Sequence, residues 1–193
     1  MAAGSLNLLT SLLEEWRSGR AVRARATAYV EVLQQDPSLD DVRWLAEHGT
    51  AGDADHARWE LRYARRALGL LTAQRDALDD RTASAVARAL SAALTRDPEV
   101  AAGKLGVVER QLNARLTAYG DALANREGAG TGWHLGRTLL RFAGRKEGGA
   151  AELVARASEM MAAYMAEANS ALRDQFGAAS LPEAVPPSRR ETP

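Results

Sequence analysis

A chain of 193 residues, 46% apolar but only 5% aromatic, can bury roughly 70% of its unfolded surface, and its core must be built mainly from Ala and Leu. Basic and acidic side chains balance at 25 each, so no net field draws the chain to nucleic acid, and a nucleic-acid partner is not expected. The absence of Cys excludes disulfides, thiolate nucleophiles and Cys-ligated metals; with no secretory signal and no apolar run of about 18 residues, the expected location is cytoplasmic, with peripheral membrane contact as an option.

From Ser5, a candidate N-cap, Leu6, Leu9, Leu12, Leu13 and Trp16 recur at helical spacing and predict an amphipathic helix. Ser18-Gly19 weakens it, and Val22, Ala26, Tyr29, Val30 and Leu33 carry it on. Arg17, Arg20, Arg23 and Arg25 cluster at that junction, where a solvated face is expected and phosphate or membrane binding is the alternative. Asp36-Pro37 ends the helix, because proline drives the preceding residue out of the α region. Ser38 and Asp41 form a variant capping box for a short helix from Leu39 to Glu47 or His48, stopped by Gly49.

The stretch from Asp53 to Arg96 has the strongest periodicity and contains no Pro. It predicts a central helix that, if unbroken, is about 60 Å long. Ala57, Leu61, Ala64, Leu68 and Leu71 share one face, widened by Trp59, Tyr63 and Leu70; Arg58, Arg62, Arg65 and Arg66 fall opposite and are expected in water. Ala83, Val86, Ala87, Leu90, Ala93 and Leu94 continue the pattern, although Asp79 to Thr82 can also cap a second helix. His56, Glu60 and Gln74 lie inside the apolar arc. The expectation is that His56 sits at the exposed first turn and that Glu60 pairs with an Arg of a neighbouring helix. A metal or ligand site around His48, His56 and Glu60 is the alternative, weakened by the lack of any Glu-x-x-His or His-x-x-x-His element.

Asp97-Pro98-Glu99 reads as a helix start, with Ala101, Leu105, Val108, Leu112, Leu116, Tyr119 and Leu123 continuing to about Asn125. Gly103 and Gly106 lower helix propensity, and the expected compensation is close approach of another backbone. Gly136-Arg137-Thr138 imitates the end of a phosphate loop, but Thr131 and Arg137 stand where that loop needs Gly and Lys, and the stretch follows a helix. No nucleotide is expected.

The glycine-flanked segment 132–146 carries His134, Arg137, Arg141 and Arg145 on one stripe and Leu135, Leu139, Leu140 and Phe142 on the other. A basic amphipathic helix of this kind can meet a membrane or an acidic partner, through Trp133, Arg137, Leu139, Arg141, Phe142, Arg145 and Lys146. From Ala150 a last helix presents Leu153, Val154, Ala157, Met160, Met161, Tyr164, Ala168, Leu172 and Phe176. Adaptable Met160, Met161 and Met165, with Tyr164, make a candidate seam between copies. Residues 178–193, rich in Ala, Pro and Ser, read as a disordered tail.

Together these features predict an all-α antiparallel bundle of about five to six helices, one domain over residues 1–177, with no cofactor and no catalytic residue. The expected function is a non-enzymatic interaction or assembly protein, a homo-oligomer or the binder of a protein partner. The alternatives are an anionic membrane or anionic-ligand binder acting through 133–146, and a metal- or ligand-binding bundle.

Overall fold

A computed structural model describes residues 3–77, 79–100, 102–125, 128, 130–145 and 149–177, with side chains described from Ser18 onward except that of Ala102. Lys146 and the expected tail, 178–193, lie outside the described residues. The architecture is all-α. Seven α helices run through the described residues: α1 (Ala3–Leu33), α2 (Leu39–His48), α3 (Ala54–Asp76), α4 (Asp80–Arg96), α5 (Leu105–Ala124), α6 (Thr131–Phe142) and α7 (Ala151–Phe176). A 3-10 turn, Ala102–Lys104, precedes α5. None of these helices is long and apolar enough to cross a membrane.

The helix ends follow from local chemistry. Ser38 accepts the Asp41 N–H at the start of α2, and Asp53 accepts the His56 N–H at the start of α3. The Asp53–Arg96 stretch is not one continuous helix. Ala77 turns extended (φ −66°, ψ 144°), and Asp79 accepts the Thr82 N–H at 2.6 Å as a new N-cap. Two acids at the join satisfy a fresh helix start, and the fold-back lets α4 pack on both α3 and α1. No proline is needed for the break.

The expected start at Asp97 is also displaced. Asp97 is the C-cap of α4, and its carboxylate accepts the Glu99 N–H at 3.1 Å in a local turn, so α5 begins only at Leu105. What draws Asp97 away from a capping role is a pair of buried arginines described below.

Helix α3 is the hub: it touches each of the other six α helices. Every residue from Glu60 to Leu70 is buried, so α3 has no solvent face over three turns. The core around it combines Tyr29 and Leu33 of α1, Leu45 of α2, Val86 and Leu90 of α4, Tyr119 of α5, Leu139 and Leu140 of α6, and Met160 and Met161 of α7. Leu39 (80% exposed) and Val107 (45%) are the exposed large apolar side chains among the described residues, so the apolar stripes are covered within one chain.

Small residues set how closely the helices meet. An added Cβ at Gly103 would meet nothing within 4 Å, and one at Gly106 only the Arg110 side chain at 3.7 Å, so neither marks the close backbone approach expected of it. That approach occurs at Gly136 on α6, where a Cβ would stand 2.6 Å from the Val154 carbonyl oxygen and 2.8 Å from the Ser158 nitrogen of α7. Backbone cannot yield as a flexible side-chain tip does. Gly136→Ala should therefore destabilise the fold by ~1–3 kcal/mol in urea denaturation, the usual cost of overpacking. Gly132→Ala, one turn earlier with its nearest neighbour at 4.0 Å, should be neutral or stabilise by up to ~1 kcal/mol through helix propensity.

Candidate ligand cleft between α5 and α6

Three of the four arginines expected in water on α3 are instead drawn into the bundle, and Arg58 is half-buried at its edge. Arg62 and Arg65 are 7% and 6% exposed and Arg66 is fully buried, because α1, α7 and the α4–α5 connection cover that side and bring acceptors with them. Arg62 donates to Asp97 at 2.9 Å and to Glu99 at 2.7 Å, and Arg66 donates to Asp97 at 2.8 Å. Arg58 grips Glu99 with both terminal nitrogens. Arg65 bonds Glu167 of α7 and the Gln35 carbonyl. Burial pushes the Arg66 pKa below its ordinary value, against the bond to Asp97. Burial also raises Asp97, but the bonds from Arg66 and the Glu99 N–H and the charges of Arg62 and Arg66 outweigh it and hold the carboxyl below its usual range. The bond from Arg58 similarly lowers Glu99.

A second buried pair joins α3 to α5. Arg115 meets Glu60 through two parallel bonds, Nη2 to Oε1 at 2.5 Å and Nε to Oε2 at 3.1 Å. Glu60 thus pairs with an arginine of a neighbouring helix, as its position in the apolar arc suggests, and His56, 40% exposed in its side chain, stands 3.4 Å from it. The Arg115 guanidinium stacks 4.2 Å from the Phe142 ring centroid and 5.0 Å from that of Tyr63. Phe142 also lies 6.1 Å from the Tyr119 ring. Arg115 therefore fixes the end of α6 against α5.

Beside Phe142 an open cleft of about 570 Å³ runs between the two helices. Helix α6 contributes His134, Arg137, Thr138, Arg141 and Phe142; α5 and its C-cap contribute Ala118, Asp121, Ala122 and Asn125. Positions 134, 137, 138 and 141 and positions 118, 121, 122 and 125 each follow the i, i+3, i+4, i+7 spacing of one helix face. Two alanines and Phe142 give the cleft an apolar floor. Arg137 and Arg141 are exposed and make no side-chain hydrogen bond or ion pair among the described residues. Its volume falls within the range of small-ligand clefts, and six of its nine lining residues are polar or charged.

The sequence-predicted residues divide clearly. Arg137, Arg141 and Phe142 come together in this cleft, while Trp133 is half-buried against the core. Leu139 is fully buried and is a core residue, so it cannot present a binding surface. Arg145 donates to the His48 carbonyl at 2.6 Å, closing the end of α2 rather than facing a partner. Met160, Met161 and Tyr164 are 3%, 0% and 6% exposed and fill the interior; only Met165 of that group is half-buried. The seam expected there is occupied by the chain's own helices. His48 stacks near Trp44 and pairs with Glu47, apart from the His56–Glu60 pair. Among the described residues no group of three or more His, Asp or Glu is arranged to hold a metal ion. The α5 wall, Ala118 to Asn125, escapes the sequence reading because a polar stripe beside small residues looks like any solvated helix face.

Compared with protein-family models, curated proteins and solved structures, the chain gives no significant match to any.

Two outcomes follow from the buried pairs. Glu60→Ala leaves the Arg115 charge uncompensated and should cost ~3–5 kcal/mol in urea unfolding, whereas Glu60→Ala with Arg115→Met should recover most of that loss. Asp97 and Glu99 both have lowered folded-state pKa values, so the unfolded chain takes up protons first. Their stabilisation is complete above the ordinary carboxylate value, about 4, and is lost as pH falls through the depressed values. The urea midpoint should drop between pH 5 and 3 (roughly the window around those values), and Asp97→Asn should start lower and fall less steeply.

Proposed function

We propose that this is a non-enzymatic helical binding protein that takes a small anionic ligand with an apolar body in the α5–α6 cleft. The observation that carries the reading is the pair Arg137 and Arg141, one helical turn apart on a cleft wall and uncommitted to any carboxylate among the described residues, above an apolar floor of Ala118, Ala122 and Phe142. The guanidinium fork suits carboxylate and related anions, and the floor gives the rest of the ligand a place to leave water.

Self-association through Met160 and Met161 has lost its basis, since their side chains face inward.

Aryl and alkyl carboxylates of increasing length should raise the melting temperature saturably, with affinity growing with apolar length. Arg137→Ala with Arg141→Ala, two exposed positions, should weaken that binding by about tenfold or more while leaving the circular dichroism unchanged. Equal stabilisation of both proteins, or none of either, removes the reading.

A further inference from the structure

The arginines at the middle of α1 are not absorbed by the α5–α6 cleft, and the fold adds to them. A second concavity, of about 360 Å³, lies between α1 and α4 and is lined by Gly19, Val22 and Arg23 from the one and Arg81, Ala85 and Arg88 from the other. The spacings 19, 22, 23 and 81, 85, 88 each place their residues on one helix face. Two helices that pack against each other thus deliver three guanidinium groups to one hollow.

Three features distinguish this hollow from an ordinary solvated helix surface. Among the described residues no carboxylate lines it. Arg23, Arg81 and Arg88 are all exposed, and none makes a hydrogen bond or ion pair through its side chain among the described residues, unlike Arg58, Arg62, Arg65, Arg66 and Arg115. The acids nearest in sequence are Asp79 and Asp80; Asp79 accepts the Thr82 N–H at 2.6 Å, and that bond, with a smaller contribution from the Arg81 charge, holds its carboxyl below the usual range. Val22 and Ala85 form the floor, and apolar walls strengthen the field that the cations project.

Like charges gathered around one concavity repel each other, and an anion placed among them relieves that repulsion. The guanidinium fork matches the oxygens of a phosphate with paired, charge-assisted hydrogen bonds, and three forks from two directions suit its tetrahedral shape. We propose that the α1–α4 cleft binds a phosphate group between Arg23, Arg81 and Arg88. This site shares no residue with the α5–α6 cleft and stands independently of the function proposed for it.

The phosphate can belong to a soluble ligand or to a lipid headgroup, and two arms separate these sources. In the first, inorganic pyrophosphate is titrated against the full chain by calorimetry, with chloride at matched ionic strength as the control. In the second, the full chain is sedimented with phosphatidylglycerol vesicles and with phosphatidylcholine vesicles. Saturable binding in the first arm assigns a soluble phosphorylated ligand, and binding to anionic vesicles alone assigns a lipid headgroup. In whichever arm binds, Arg81→Gln with Arg88→Gln should weaken it by about tenfold or more. Arg23→Gln reads the same site from the other helix and should also weaken it. The Arg137→Ala, Arg141→Ala protein should bind as the parent does. Absence of binding in both arms overturns the proposal, as does binding that survives loss of the α4 arginines or depends on Arg137 and Arg141.

Discussion

The structure depends on one constraint: its central helix, α3, is enclosed on every side and yet carries charged residues along its length. A helix buried all round is ordinarily apolar all round. Here Glu60, Arg62, Arg65 and Arg66 interrupt the Ala and Leu positions, and each buried charge must be met inside the protein or the fold loses several kcal/mol per ion. The surrounding elements are arranged to meet them. Asp97 and Glu99 enter from the turn after α4, Glu167 from α7, carbonyl oxygens from the end of α1, and Arg115 from α5.

This pairing also determines where chains bend and helices begin. Asp97 and Pro98 would start α5 on local grounds, but two guanidinium groups claim the Asp97 carboxylate, and the chain passes through a turn and a 3-10 segment before α5 forms at Leu105. Likewise the Glu60–Arg115 bond, with Phe142 stacked on the same guanidinium, sets the separation between α5 and α6. The cleft between those helices is thus positioned by a charge pair that does not itself line it. The arginines of α3 and Arg115 are consumed by this architecture, whereas Arg137 and Arg141 stand beside the cleft without an ion pair among the described residues.

Arg content by itself does not separate these two kinds. Arg62 and Arg141 both lie on amphipathic helices at positions a helical wheel assigns to solvent. What distinguishes them is whether a third helix crosses that face, which depends on contacts far apart in the chain, such as Arg65 with Glu167. The same reason explains why Leu139 and Met161, apolar positions free to serve as surface anchors on paper, are interior residues, and why Gly136 and not Gly103 marks the close approach of two backbones.

The all-α class, the caps at Ser38 and Asp53, the stop at Gly49 and the segment from Trp133 to Phe142 are properties of the sequence itself. They arise from spacing and side-chain-to-backbone bonds within four residues, and no distant contact alters them. Glu60 as the partner of a neighbouring arginine is also legible there, because a lone acid in an apolar arc has to be paired. The burial of the α3 arginines, the interior placement of the methionines and the two clefts are decided only by tertiary structure. Each depends on which helix faces lie opposite one another, and helical periodicity specifies a face without specifying its neighbour.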